Sequence, residues 1–222
     1  MHPTTWEKVD RYIEERLIPY DPVLEKALAA NQQASLPPYD VTPGQGKLLH
    51  LFARMMGARR ILEIGTLGGY STIWLARALP QDGVLITLEL EELHARVARA
   101  NIASAQLEDK VDVRIGSALD QLAMLEAEGV EPFDLIFIDA DKPNNPGYLQ
   151  WALKLSRPGT VIIGDNVIRE GEVTNKLTQD ARVQGVQRFF ELMSEESRIE
   201  ATAIQTVGSK GYDGFSLGIV TG

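Results

Sequence analysis

From Arg60 onward, short apolar runs alternate with amphipathic stretches of about ten to sixteen residues, and this alternation restricts the fold more than any single motif does. Strands that read as nearly continuous apolar runs are buried on both faces, and parallel strands need a long connection, usually a helix, between them. The pattern places strands near 60–64, 84–88, 111–115, 133–138 and 159–164, with helices near 70–79, 91–106, 118–128 and 146–156. A polar stretch and a helix near 178–194 follow. Two strand-like runs, 199–206 and 215–220, then appear on either side of Gly208, Gly211 and Gly214, and are expected to form a hairpin that adds an antiparallel edge to the sheet.

Three helices are expected ahead of the first strand. Thr4 and Glu7 have capping-box spacing, and Trp6, Val9, Ile13 and Leu17 recur at intervals of three and four residues. Asp21-Pro22 opens a second helix, and residues 35–40, with Pro37-Pro38, read as a loop. Thr42-Pro43-Gly44-Gln45 repeats the cap signal for a third helix, with Thr42 as N-cap and Gly57 as its stop. The 222 residues carry 44% apolar side chains, evenly spread, and offer no internal seam. One domain is expected over 1–222, with a helical segment at 1–57 and an α/β core at 58–222.

Against 22 basic residues stand 31 acidic ones, a formal net charge of −9, and no block of Lys and Arg could track a phosphate backbone. Nucleic acid and anionic membrane are therefore not the expected partners. The absence of cysteine removes disulfides, thiolate nucleophiles and Cys-based zinc sites. His2, His50 and His94 are scattered; the last two fall in helical patterning and read as ordinary helix residues. No apolar run approaches the roughly 20 residues needed to span a bilayer, so neither signal peptide nor anchor is expected, and the protein reads as cytoplasmic.

The first strand runs into ILEIGTLGGYSTIWLA. Glycines at such a turn let the backbone approach a ligand, and ligands of open α/β sheets bind beyond the carboxyl ends of the strands. Taken alone, the loop is a weak signal, and its alternative is a plain glycine turn joining strand to helix. Glu89 strengthens the ligand reading, because it follows the second strand, 24 residues beyond Gly65, where an acid can accept hydrogen bonds from a ribose. Glu63 occupies the position of the first glycine in the dinucleotide fingerprint. A carboxylate there would repel a pyrophosphate yet suit a cationic ligand, and S-adenosylmethionine has an adenosine, a sulfonium and no phosphate.

FDLIFIDADK ends a buried strand in two carboxylates and an ammonium, which must be paired or coordinated if taken out of water. VIIGDN ends the next strand in a similar way. If the two strands are neighbours, Asp139, Asp165 and Asn166 offer three oxygen donors at adjacent carboxyl ends. Such a set suits Mg²⁺ first and Mn²⁺ or Ca²⁺ after it, with water and substrate completing the shell. The alternative is that these residues cap turns. Lys142 could take a hydroxyl proton there, provided burial and a nearby cation lower its pKa. Its alternative is a surface lysine paired with Asp141.

Together VTPGQGKLL, ILEIGTLGGYSTIWLA, FDLIFIDADK, VIIGDN and the terminal GYDGFSLGIV resemble the class I S-adenosylmethionine-dependent O-methyltransferases. The closer likeness is to the cation-dependent caffeoyl-CoA and catechol O-methyltransferase group, and it covers nearly the whole chain. The resemblance implies a Rossmann-like doubly wound, mostly parallel seven-stranded sheet with an antiparallel C-terminal hairpin strand and N-terminal helices. It also implies a homodimer with those helices near the partner. Glu63, Gly65, Thr66 and Ser71 would surround the methionine part of the cofactor, with the backbone near Val41 contributing. Glu89 would hold the ribose hydroxyls, Ala118 would contact the adenine, and Asp139 and Asp141 would lie close to the cofactor. Asp139, Asp165 and Asn166 match the group's metal ligands, and Lys142 its proposed general base.

The reaction so implied is transfer of a methyl group to one hydroxyl of a vicinal-diol aromatic. In this group the N-terminal helices and the loop after the metal pair line the acceptor site, here residues 1–40 and 167–178. Arg169, Glu170 and Glu172 in that loop show no charge preference, and isolated Lys8, Arg11, Arg16 and Lys26 do not make the basic patch a CoA thioester would want. A small catechol-like phenylpropanoid or flavonoid is the expected acceptor. A CoA thioester and a hydroxylated tRNA nucleoside stay open as alternatives. So does a nicotinamide-dependent oxidoreductase, against which Glu63 counts.

Overall fold

The computed structural model describes residues 4–222, so His2 lies outside the described residues. Three helices come first: α1 (Thr5–Leu17), α2 (Pro22–Gln33) and α3 (Pro43–Met55). Each starts where its cap signal stands. Thr4 and Glu7 close a full capping box. The Asp21 carboxylate accepts from the backbone N–H groups of Val23 and Leu24, and Thr42 accepts from that of Gln45. Gly57, at φ 64°, takes the left-handed step that ends α3.

The core then alternates β1 (Arg60–Ile64), α4 (Tyr70–Ala76), β2 (Val84–Glu89), α5 (Glu92–Ser104), β3 (Val111–Ile115), α6 (Ala118–Ala127), β4 (Leu135–Ile138), α7 (Asn145–Lys154) and β5 (Val161–Asp165). After α8 (Ala181–Glu195) come β6 (Ile199–Gly208) and β7 (Gly211–Val220). The seven strands lie in the order β3-β2-β1-β4-β5-β7-β6. The first five are parallel, and β7 runs antiparallel between β5 and β6. This is the expected α/β sheet, wound in both directions from β1. Successive strand residues point to opposite faces. Ile61, Leu85, Leu135 and Phe137 accordingly join α2 to α5 in one core, while Leu62, Ile86, Ile136 and Ile138 join α6 to α8 in the other.

Three local features depart from the sequence reading. The hairpin ladder is longer than expected: Gly208 pairs with Gly211 and Gly214 with Gln205, leaving Ser209-Lys210 as the turn. A Cβ on Gly214 would come 2.2 Å from the Ile204 carbonyl oxygen, so that glycine permits a close strand approach rather than punctuating a loop. The polar stretch after β5 contains short 3₁₀ turns at Arg169–Thr174, broken by a left-handed kink at Glu170 and Gly171. Finally, α1 buries no residue, and Trp6, Val9, Ile13 and Leu17 all stay exposed. Helical periodicity identifies an apolar stripe without saying what covers it. Among the described residues no helix is long and apolar enough to cross a membrane.

Candidate active site

The parallel register assembles the site. Ile64 stands opposite both Leu88 and Ile138, and Ile138 opposite Gly164. One residue further on, Glu89, Gly65, Asp139 and Asp165 therefore form a row across four strand ends, at strand spacings of about 4.8 Å. The direction of winding changes between β1 and β4, which is where open α/β sheets bind ligands. A cavity of about 970 Å³ opens over this row. Gly65, at φ 99°, is required there, because a Cβ would meet the Asp139 carbonyl oxygen at 2.2 Å.

On the β1–β2 side, Glu63 is wholly buried and its carboxylate is enclosed by hydroxyl donors. Ser71 donates to Oε1 at 2.7 Å, and Thr72 and Thr87 donate to Oε2 at 2.5 and 2.7 Å. Burial outweighs these bonds and pushes the Glu63 pKa up to about 7. Glu89 uses Oε2 to accept from the backbone N–H groups of Thr66 and Leu67 at 3.2 and 2.7 Å, so it also shapes the glycine loop. Its Oε1 accepts from Glu91 N and lies 3.4 Å from His94 Nδ1, which puts His94 in the cavity wall. His50 faces away from the cavity, with Nδ1 3.1 Å from the Trp74 carbonyl oxygen, and burial lowers its pKa.

On the β4–β5 side, Asp165 is buried, and burial first and the charge of Asp139 second raise its pKa. Gln45 Nε2 donates to its Oδ2 at 2.7 Å and Asn166 N to its Oδ1 at 2.8 Å. Asn166 itself adopts the left-handed conformation at φ 52°. Lys142 is buried and donates to Asp139 Oδ1 at 3.1 Å, so it is neither a surface lysine nor paired with Asp141. Asp141 accepts instead from Tyr148 Oη at 2.5 Å and Asn144 Nδ2 at 2.7 Å. Among the described residues no three His, Cys, Asp or Glu side chains form a cation-holding group. What this corner offers is two carboxylates and a carboxamide, a donor set that fits a hard cation keeping several waters.

Val41, Gly65, Thr66, Ser71, Glu89, Ala118, Asp139, Asp141, Lys142, Asp165 and Asn166 all line the one cavity. Glu63 does not; it stands behind the wall and reaches the cavity through the Ser71 hydroxyl. Sequence reasoning missed Thr72, Thr87, Gln45 and Tyr148, the residues that hold Glu63, Asp165 and Asp141 in place. Gln45 did carry a signal, since it sits at the third position after an N-cap, but its side chain leaves the capping box open and turns to Asp165.

Comparison with known proteins adds an independent line. The model of the family described as O-methyltransferase matches residues 17–217. Curated catechol O-methyltransferases from Niastella koreensis and Mycobacterium tuberculosis are 49% and 50% identical, covering 99% and 96% of this chain and 100% and 94% of theirs. The crystal structure of an O-methyltransferase from Bacillus cereus in complex with SAH superposes with a TM-score of 0.97 at 61% identity, over 98% of this chain and 99% of that one. An O-methyltransferase from Streptomyces achromogenes involved in tomaymycin synthesis, solved with SAM, gives a TM-score of 0.96 at 52% identity, over the whole of both chains.

Proposed function

The chain belongs to the S-adenosylmethionine-dependent O-methyltransferase family, and from that premise we propose that it methylates one hydroxyl of a small catechol-like aromatic with the help of a divalent cation, Mg²⁺ foremost. The observation that carries the proposal is the row of strand ends. It puts Glu89 and the glycine loop at one end of a single cavity, and Asp139, Asp165 and Lys142 at the other.

Asp139, Asp165 and Asn166 would hold the cation. When bound, it would polarise two vicinal oxygens of the acceptor and lower the proton affinity of one. Burial of Asp165 first, and repulsion from the neighbouring Asp139 second, raise its proton affinity in the absence of a cation. Lys142 Nζ, positioned by Asp139, would receive the acceptor's hydroxyl proton in its neutral amine form. Ser71 and the Thr66 backbone would orient the methionine end of the donor, with Glu63 behind them as a buried acid that can turn negative opposite a sulfonium. Val41, Ala118 and Asp141 would complete the cofactor wall, and Glu89 would meet the ribose. Catalysis would then rest on alignment of acceptor oxygen, methyl carbon and sulfur.

A screen of catechols with labelled S-adenosylmethionine tests the proposal. Transfer is expected with Mg²⁺, to vanish with a chelator, and to fall by more than about 100-fold in Asp165→Ala. Undiminished methylation in the presence of chelator would rule out the cation. A homodimer is part of the same proposal, supported by the uncovered apolar stripe of α1.

A further inference from the structure

Of the charged residues in the loop beyond Asn166, Arg169 lines the cavity, and Glu170, Glu172 and Lys176 do not. Its Nε is buried without a hydrogen-bond partner. The acid nearest its guanidinium among the described ion pairs is Asp213, with Nη1 to Oδ2 at 4.0 Å, beyond hydrogen-bond reach. The other cations lining this end are engaged. Arg182 is held by both oxygens of Asp180, and Lys210 Nζ donates to the carbonyl oxygens of Pro38 and Asp40.

The backbone of Arg169 is also held in place. At φ 54° it adopts the left-handed conformation, which residues other than glycine seldom take. Asp213 Oδ1 fixes it there, accepting from Ile168 N at 2.9 Å and from Arg169 N and Gly214 N at 3.0 Å each. A strained residue that its surroundings over-determine, lining a cavity with a guanidinium that no acid among the described ion pairs reaches within hydrogen-bond distance, is a feature of ligand clamps. A guanidinium matches a carboxylate with two parallel donors.

We infer that Arg169 binds an anionic substituent of the acceptor, so that the enzyme prefers catechols bearing a carboxylate to neutral ones. The inference rests on the catechol reading above. Arg169 lies three residues beyond Asn166, so the carboxylate end of the ring would be held by this loop while the hydroxyl end faces Asp139 and Asp165.

The test uses 3,4-dihydroxybenzoate and 3,4-dihydroxybenzamide, which have the same shape and differ in charge. Their kcat/KM ratio is compared between wild type, Arg169→Gln and Arg169→Gly, because taking the ratio across variants cancels the intrinsic reactivity of each ring. The glycine variant suits the left-handed backbone and keeps the test open if the glutamine variant fails to fold. The ratio of benzoate to benzamide is expected to drop on the order of 10- to 100-fold in both variants, mostly through KM, with the benzamide losing far less than the benzoate. Equal losses on both compounds, or an unchanged ratio, would overturn the role of Arg169 and leave catechol methylation standing. No transfer to either compound by the wild-type enzyme would overturn both.

Discussion

At Glu63 a single carboxyl group couples the fold to pH. Because it is fully buried, its pKa lies near 7 in the folded chain, against 4.5 ordinarily. Below pH 4.5 it is protonated in both states. As pH rises, the unfolded chain releases the proton first, while the folded chain keeps it until about pH 7. Unfolding therefore sheds a proton across this window and becomes easier, by roughly 3 kcal/mol at most from this one group. Urea denaturation of the ligand-free protein should show stability falling between pH 5 and 7.5, and Glu63→Gln should flatten that slope, since the three hydroxyls can reorient to a neutral amide. Identical slopes in the two proteins would sink this account. Gln45 illustrates the opposite case, a residue whose importance lies in what it holds. Its 2.7 Å bond leaves Asp165 aimed at the corner it shares with Asp139.

Between elements, the glycine loop is braced jointly by α5 of the α/β alternation and by α2, which precedes it. Asn101 on α5 donates to the Gly68 carbonyl oxygen at 2.8 Å and to Asn31 Oδ1 of α2 at 3.0 Å, and Asn31 donates in turn to Asp40 at 2.8 Å. A Cβ on Gly68 would fall 1.8 Å from Asn31 Oδ1, so loop and helix are packed to contact. This chain of amides ties the loop to residue 40 at the rim of the cavity. Asn31→Ala should destabilise the protein by about 1–3 kcal/mol, because it leaves buried polar partners unfilled. It should also weaken S-adenosylmethionine binding several-fold, which titration calorimetry would read. Normal affinity in a destabilised variant would restrict the brace to folding.

For the whole molecule, α1 poses a question that one protomer does not answer. Val9 and Ile13 are 49% and 40% exposed, and none of α1's residues is buried within the chain. Substituting Val9→Glu and Ile13→Glu together should leave the protomer's stability within about 0.5 kcal/mol per site, since both are surface positions within it. In sedimentation velocity the double variant should run as a monomer where the wild type runs as a dimer. A wild-type protein that is monomeric at micromolar concentration would remove the homodimer from the proposal.

Local pattern and chemistry determined much by themselves. The helix starts at Thr4, Asp21 and Thr42 follow from capping side chains, and the α/β order follows from the alternation of apolar runs with amphipathic stretches. The strand-end acids were visible too, because a charge closing a buried run must find a partner. Tertiary structure decided everything that depends on which strands become neighbours. Side-chain periodicity is local, whereas strand order and register are set by packing across the whole sheet. That packing put Asp139 beside Asp165, turned Lys142 to Asp139 rather than Asp141, and brought Gln45 to a carboxylate 120 residues away. It set Glu63 behind the cavity wall and, of four charges in one loop, sent only Arg169 inward. A sequence displays charges in order along the chain, but the field they create depends on which of them are desolvated together, and only the folded packing fixes that.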